Sequence, residues 1–139
     1  MTAKEYLMQY RRLSERIRQL DLDIMMLEAE ADSVSVDYSG MPRGSGIADK
    51  TANTAIRLAT LKQEKVSKRE EAILKREEIL NVINRVEDTL LSQLLYDRYI
   101  LFMTWERVAE DCEKSDRWCR TRLHSRALKC VSKILDNSL

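Results

Sequence analysis

Thr104-Trp105-Glu106-Arg107-Val108-Ala109-Glu110-Asp111-Cys112-Glu113-Lys114-Ser115-Asp116-Arg117-Trp118-Cys119-Arg120-Thr121-Arg122-Leu123-His124 is the stretch that decides the fold of this 139-residue chain. Two short helices that cross need a small residue at the crossing, a tight turn, and an apolar anchor about ten residues after the small one. Ala109 is the small residue, Val108 and Cys112 are its apolar neighbours, and Cys119 is the anchor, with Leu123 one turn on. Thr104 and Ser115 stand where a hydroxyl can accept from an orphan backbone N–H at a helix start. Trp105 is expected to pack under the first helix. The stretch therefore reads as a helix over 104–112 and another from Ser115 to about Leu135, in a helix-turn-helix.

That register fixes the outward side of the second helix. Asp116, Arg117, Arg120, Thr121 and His124 are expected to project together. Arg117 and Arg120 can each pair bidentately with a guanine edge, and Thr121 can meet a base edge or methyl group. Ser115 at the helix start can hold a phosphate, and Lys114 and Arg122 flank the face and track the backbone. Thr104 completes the expected contact set. Trp118 either stacks on a base or sugar or packs at the domain edge. His124 is read as facing DNA or solvent rather than as a proton switch. Residues 116–133 hold six basic side chains against Asp116 alone, a local balance of +5 in a chain whose net charge is only +1.

Upstream the pattern changes. Tyr6, Tyr10, Leu13, Ile17, Leu20, Ile24, Leu27 and Ala31 recur in steps of four and three, the heptad stripe of a long helix over 2–31. A second long helix over 47–85 carries Ala55, Leu58, Ala59, Val66, Ala72, Ile73, Leu80 and Ile83. Its Lys68-Arg69-Glu70-Glu71 returns seven residues later as Lys75-Arg76-Glu77-Glu78, the pattern of a solvated, ion-paired face. Between the two helices, 32–46 collects all three glycines and the only proline and reads as a linker in which Arg43 could touch a phosphate. Neither helix can bury its stripe alone. The expected arrangement is a long antiparallel hairpin, a coiled coil, that pairs with a second chain into a dimer or higher oligomer. The division is 1–85 for this oligomerisation region and 86–139 for the DNA-binding domain, whose first helix covers 88–101 with Leu90, Leu91, Leu94, Leu95, Tyr99 and Leu101 as apolar positions.

Composition agrees with an all-α chain. Aromatics are 6%, and Gly and Pro number four together, too few for sheets that lean on both. Apolar residues at 44% argue against disorder. Cys112, Cys119 and Cys130 read as small buried hydrophobes of a reducing cytosol, without the spacing of a zinc site. No apolar run approaches the roughly 20 residues of a membrane span, and no hydrophobic signal core opens the chain. The protein is expected in the bacterial cytoplasm, without metal or cofactor. One His, no Gly-rich phosphate loop and no paired carboxylates argue against an enzyme.

The run Arg98-Tyr99, then Thr104 to Ala109, Ser115 to Cys119 and Leu123 to Leu128 resembles sigma-factor region 4. It is more similar still to small phage regulators of the RinA and ArpU late-gene activator type. The opening Thr2-Ala3-Lys4-Glu5-Tyr6-Leu7 and the loop Ser39-Gly40-Met41-Pro42-Arg43-Gly44 look like proteins of that group from phages of Gram-positive hosts. The resemblance implies a phage or prophage transcription regulator that binds double-stranded DNA, activates late genes and acts with host RNA polymerase. Against the pattern, Glu113 stands where the turn often has Gly, Cys119 replaces Val or Ile, and nothing resembles the part of a sigma factor that reads the −10 element. A small-terminase-like packaging protein and a coiled-coil adaptor without affinity for DNA are the alternatives.

Overall fold

The computed structural model describes residues 1–34 and 45–138, with the side chains of 33–34 and 45–48 excepted. Among the described residues it is all-helical. Helix α1 spans Ala3–Val34 and α2 spans Ser45–Asn84. Then come α3 (Thr89–Tyr99) and α4 (Trp105–Cys112). A final continuous run consists of α5 (Asp116–Trp118), a π-helical turn over Cys119–Leu123, and α6 (His124–Asn137). Both long helices reach further into the expected linker than its 32–46 bounds, because 32–34 and 45–46 are helical. The Gly40–Gly44 stretch, including Arg43, lies outside the described residues.

The helices form two compact units. Met1–Leu13 and Glu71–Leu139 make one, and Ser14–Glu70 make the other. In the first unit, α3 carries the core. Asp88 accepts from the amides of Leu90 and Leu91 at 2.9 and 3.3 Å, which starts α3 at Thr89. Leu91, Leu94, Leu95 and Tyr99 then face inward and pack with Val108, Ala109, Cys119, Leu123, Ala127 and Val131. The same cluster takes in Ile79, Val82 and Ile83 of α2 and Leu7 of α1. Leu7 is fully buried, although the heptad stripe ran through its neighbours Tyr6 and Tyr10. Those two tyrosines only pack against the cluster's edge, with the Tyr6 hydroxyl donating to Glu78 at 3.0 Å. Leu101, expected inside, is exposed. The chain reverses there, with the Leu101 amide donating to the Tyr96 carbonyl and Phe102 held at φ 56°. That left-handed geometry is rare for a bulky residue. Phe102 is held there between the Tyr10 ring, 5.4 Å away, and the Arg11 guanidinium at 5.8 Å.

In the second unit, α1 buries Leu20, Ile24 and Leu27 as its stripe predicts, while Ala31 is exposed. Ion pairs join α1 to α2, with Arg16 on Glu64 at 2.8 Å, Glu28 on Lys62 at 3.2 Å, and Asp21 on Lys65. The stripe expected on α2 is only partly buried. Leu58 is half-buried, whereas Ala55, Ala59 and Val66 are exposed. In the other unit Ala72 and Ile83 are buried and Ile73 is exposed. Leu58, Leu61, Ala72 and Ile79 are among the apolar residues of α2 that are half-buried or buried.

Candidate nucleic-acid interface

Helix α4 starts where its sequence says it should. The Thr104 hydroxyl accepts from the Arg107 amide at 3.3 Å. It ends at Glu113, which sits at φ 54°, ψ 37°. The Glu113 amide donates to Glu110 and the Lys114 amide to Ala109, the two bonds that satisfy the last carbonyls when a helix stops on a left-handed residue. Glycine occupies this conformation without a Cβ penalty. Glu113→Gly is therefore expected to raise stability by about 0.5–1 kcal/mol, the left-handed cost relieved less the greater freedom of glycine in the unfolded chain. Urea denaturation checks it, and a lower midpoint for the variant would show that Glu113 is not strained.

After the turn, the Ser115 hydroxyl accepts from the Trp118 amide at 3.1 Å and opens the last helical run. Ala109 and Cys119 are both buried, in contact with Val108, Cys112 and Leu123 in the shared core. Burial pushes the Cys112 thiol up to about 11, with the neighbouring Cys119 adding to the effect, and the side chain packs in the core.

A π-turn over Cys119–Leu123 interrupts the regular helix expected from Ser115. Cys119, Leu123, Ala127 and Val131 are buried at steps of four. In a regular α-helix each such step turns about 40° too far, so the last would leave the core face. A wider turn corrects the drift. Here the His124 amide reaches back to the Cys119 carbonyl, five residues away. The Thr121 hydroxyl donates to the Arg117 carbonyl at 2.6 Å, a local bond that competes with the regular ladder.

The same turn corrects the expected outward face. Closing the ring at five residues rotates His124 towards the side of its buried partner Cys119. His124 consequently does not stand exposed with the arginines as expected. It is half-buried, with Nε2 sharing a 2.6 Å hydrogen bond with the Tyr99 hydroxyl and its ring against the edge of Trp105 at 4.7 Å. Burial, aided by the positive charges of Lys4 and Arg98, lowers its pKa to about 4. Burial raises Tyr99 to about 12. Arg98 closes the cluster, donating to the Met103 carbonyl at 2.8 Å with its guanidinium 4.7 Å over the Trp105 ring. These four residues anchor the start of α6 to α3 and α4.

The remaining expected contacts stay outside. Lys114, Ser115, Arg117, Arg120, Thr121 and Arg122 are exposed, as is Thr104 at the head of α4. The hydroxyls of Thr104, Ser115 and Thr121 are already engaged with backbone. Arg120 lies 3.6 Å from Asp116, a loose exposed pair that contributes little and is easily exchanged for another acceptor. Trp118 is 46% exposed and carries Arg122 at 5.7 Å from its ring centroid, so it is a surface platform rather than a packed edge. Arg126, Lys129 and Lys133 are exposed along α6. The local charge balance counted them, but the register argument stopped short of them. The arrangement offers forked donors and ammonium groups on one helical run, chemistry suited to phosphates and base edges. Among the described residues no set of three or more side chains could hold a metal ion, and no helix is long and apolar enough to cross a membrane. No family model, no curated protein and no solved structure matches the chain.

Proposed function

We propose that the chain is a sequence-specific DNA-binding transcription regulator of phage or prophage origin, an activator of late genes. In this reading α4 and the run from Asp116 form a sigma region 4-like helix-turn-helix that lays Arg117 and Arg120 in the major groove. The observation that carries the reading is the coincidence of four features. Thr104 and Ser115 cap the two helices, Glu113 ends the first, Ala109 and Cys119 share the crossing, and both arginines are left exposed. Lys114, Arg122 and the exposed cations of α6 bind phosphates, and Trp118 packs on a sugar or base. The protein acts as a homo-oligomer through α1 and α2, which form an antiparallel coiled-coil hairpin; the ion pairs of Arg16 with Glu64 and Glu28 with Lys62 support that pairing. Contact with host RNA polymerase belongs to the same reading and rests on the sigma-factor resemblance.

Selection of bound duplexes from a random pool by the purified full chain tests it. One motif should be enriched, and its affinity should fall with salt at a slope of about −0.9 in log units per phosphate contacted. A pool unchanged after several rounds, or binding indifferent to salt, would refute the assignment.

A further inference from the structure

The unit formed by Ser14–Glu70 leaves much apolar surface in water. Leu22, Met25, Met26, Ile56 and Val66 are each between 47% and 64% exposed. Two of these, Met25 and Val66, share one lining, and apolar exposure gathered in that way marks a binding face rather than ordinary surface scatter. It has a shape as well, because an open groove of about 480 Å³ runs between α1 and α2. Ile24, Met25 and Val66 supply its apolar lining. Its two edges carry opposite charge. Asp21 and Glu28 stand on the α1 edge, and Lys62, Lys65 and Arg69 on the α2 edge.

We propose that this groove receives the same groove of a second copy of the chain, related by a twofold axis, with the acidic α1 edge of each against the basic α2 edge of the other. The proposal deepens the homo-oligomer reading above by naming its face, and it does not depend on DNA binding. Charge selects the occupant. A partner of uniform sign meets repulsion along one edge. A twofold copy brings acid to base along both, and an isologous interface requires that self-complementarity. The in-chain pairs of Glu28 with Lys62 and Asp21 with Lys65 do not oppose this, because exposed pairs of this type contribute little and exchange readily. Met25 and Val66 supply the desolvated centre. Methionine adapts its shape to a facing side chain, which suits a groove meeting its own image. Val66 thus finds the cover that a single chain does not give it.

Sedimentation equilibrium of the full chain should return twice the 16.3 kDa chain mass. Met25→Glu with Val66→Glu should raise the dimer dissociation constant at least about a hundredfold, while helical circular dichroism stays unchanged. Met26→Glu, outside the groove lining, should leave the mass as it is. Zero-length coupling of carboxylates to amines in a mixture of isotopically light and heavy wild-type chains provides a second reading without any variant. It should give light–heavy links between Asp21 or Glu28 and Lys62 or Lys65. A wild-type chain that is monomeric at about 100 μM, an oligomer that survives the double substitution, or the absence of light–heavy links at these residues overturns the proposal. Failure here with intact DNA binding removes this interface alone. A dimer whose mass is unaffected by Arg117→Ala with Arg120→Ala stands even if DNA binding fails.

Discussion

Arg117→Ala combined with Arg120→Ala will weaken binding to the selected duplex by roughly a hundredfold or more. Each arginine is expected to contribute about 1–3 kcal/mol of discrimination where it pairs bidentately with a guanine. Neither side chain is needed for the fold, since both are exposed and the core beneath them is made by Cys119 and Leu123. Thermal melting of the double variant should therefore match the wild type, with at most a few tenths of a kcal/mol lost with the loose Asp116–Arg120 pair. The informative comparison is across sequences. Loss concentrated on the preferred site, with weak binding elsewhere little changed, is the signature of base reading. An equal loss on every duplex would reduce the two residues to phosphate contacts, and no loss on any duplex would leave a helical adaptor with a solvated basic face. Lys114→Ala serves as the contrast. It should weaken all sequences alike and flatten the salt slope by about one contact.

His124 governs the second large effect. Its folded pKa of about 4 lies below the ordinary value of 6.5. Between those values the unfolded chain holds a proton that the folded chain refuses. The stability contributed by this ring is thus fully present above pH 6.5 and is lost as pH falls towards 4. Because the ring is only partly buried, solvent screening reduces the full linkage value to on the order of 1–2 kcal/mol. Asp97 acts in the opposite sense. Burial and the nearby Asp111 raise its carboxyl, against a hydrogen bond from Gln93 at 2.8 Å, so its contribution favours acid and fades as pH rises. The wild-type curve contains both. The difference between wild type and His124→Gln isolates the histidine. Urea midpoints should separate the two proteins widely at pH 7 and bring them together near pH 4.5. A separation that does not change with pH would mean that His124 is not the titrating group. At neutral pH the substitution should itself cost about 1–3 kcal/mol, because the Tyr99 hydroxyl loses its partner and the edge contact with Trp105 is disturbed.

What could be read from residues alone followed a physical divide. Caps are local, so Thr104 and Ser115 were visible in a few neighbouring letters, whereas Glu113 was marked only by standing where the resembling turn often has Gly. The small-residue and anchor spacing of Ala109 and Cys119 is equally local, and both side chains are buried. The position of His124 was not legible, because projecting a face along a helix assumes a constant 3.6-residue turn. A single π-turn over Cys119–Leu123 breaks that assumption from the next residue onwards. The steps of four among Cys119, Leu123, Ala127 and Val131 were a signal that could have revealed it. On α2, periodicity found an apolar stripe containing Val66 and Ile73, yet both are exposed. Spacing alone does not say which apolar positions of a long helix meet the neighbouring helix. Leu7 was missed for a related reason. A heptad can be phased through Tyr6 or through the residue after it, and only the partners, Ile79 and Val82 among them, choose.

The burial of Leu7 in one core with Leu94 and Val131 has a consequence for how the protein comes to be made. Its compact C-terminal body includes residues from the first thirteen positions, so the ribosome releases one wall of that body long before it makes the rest. The opening turns of α1 must wait, with their leucine uncovered, for more than a hundred further residues. Contacts of such separation close slowly. An excised fragment starting at Glu87 would never close them. It would expose the hollow that Leu7, Ile79, Val82 and Ile83 fill in the intact chain, and that hollow is where self-association of the fragment would begin.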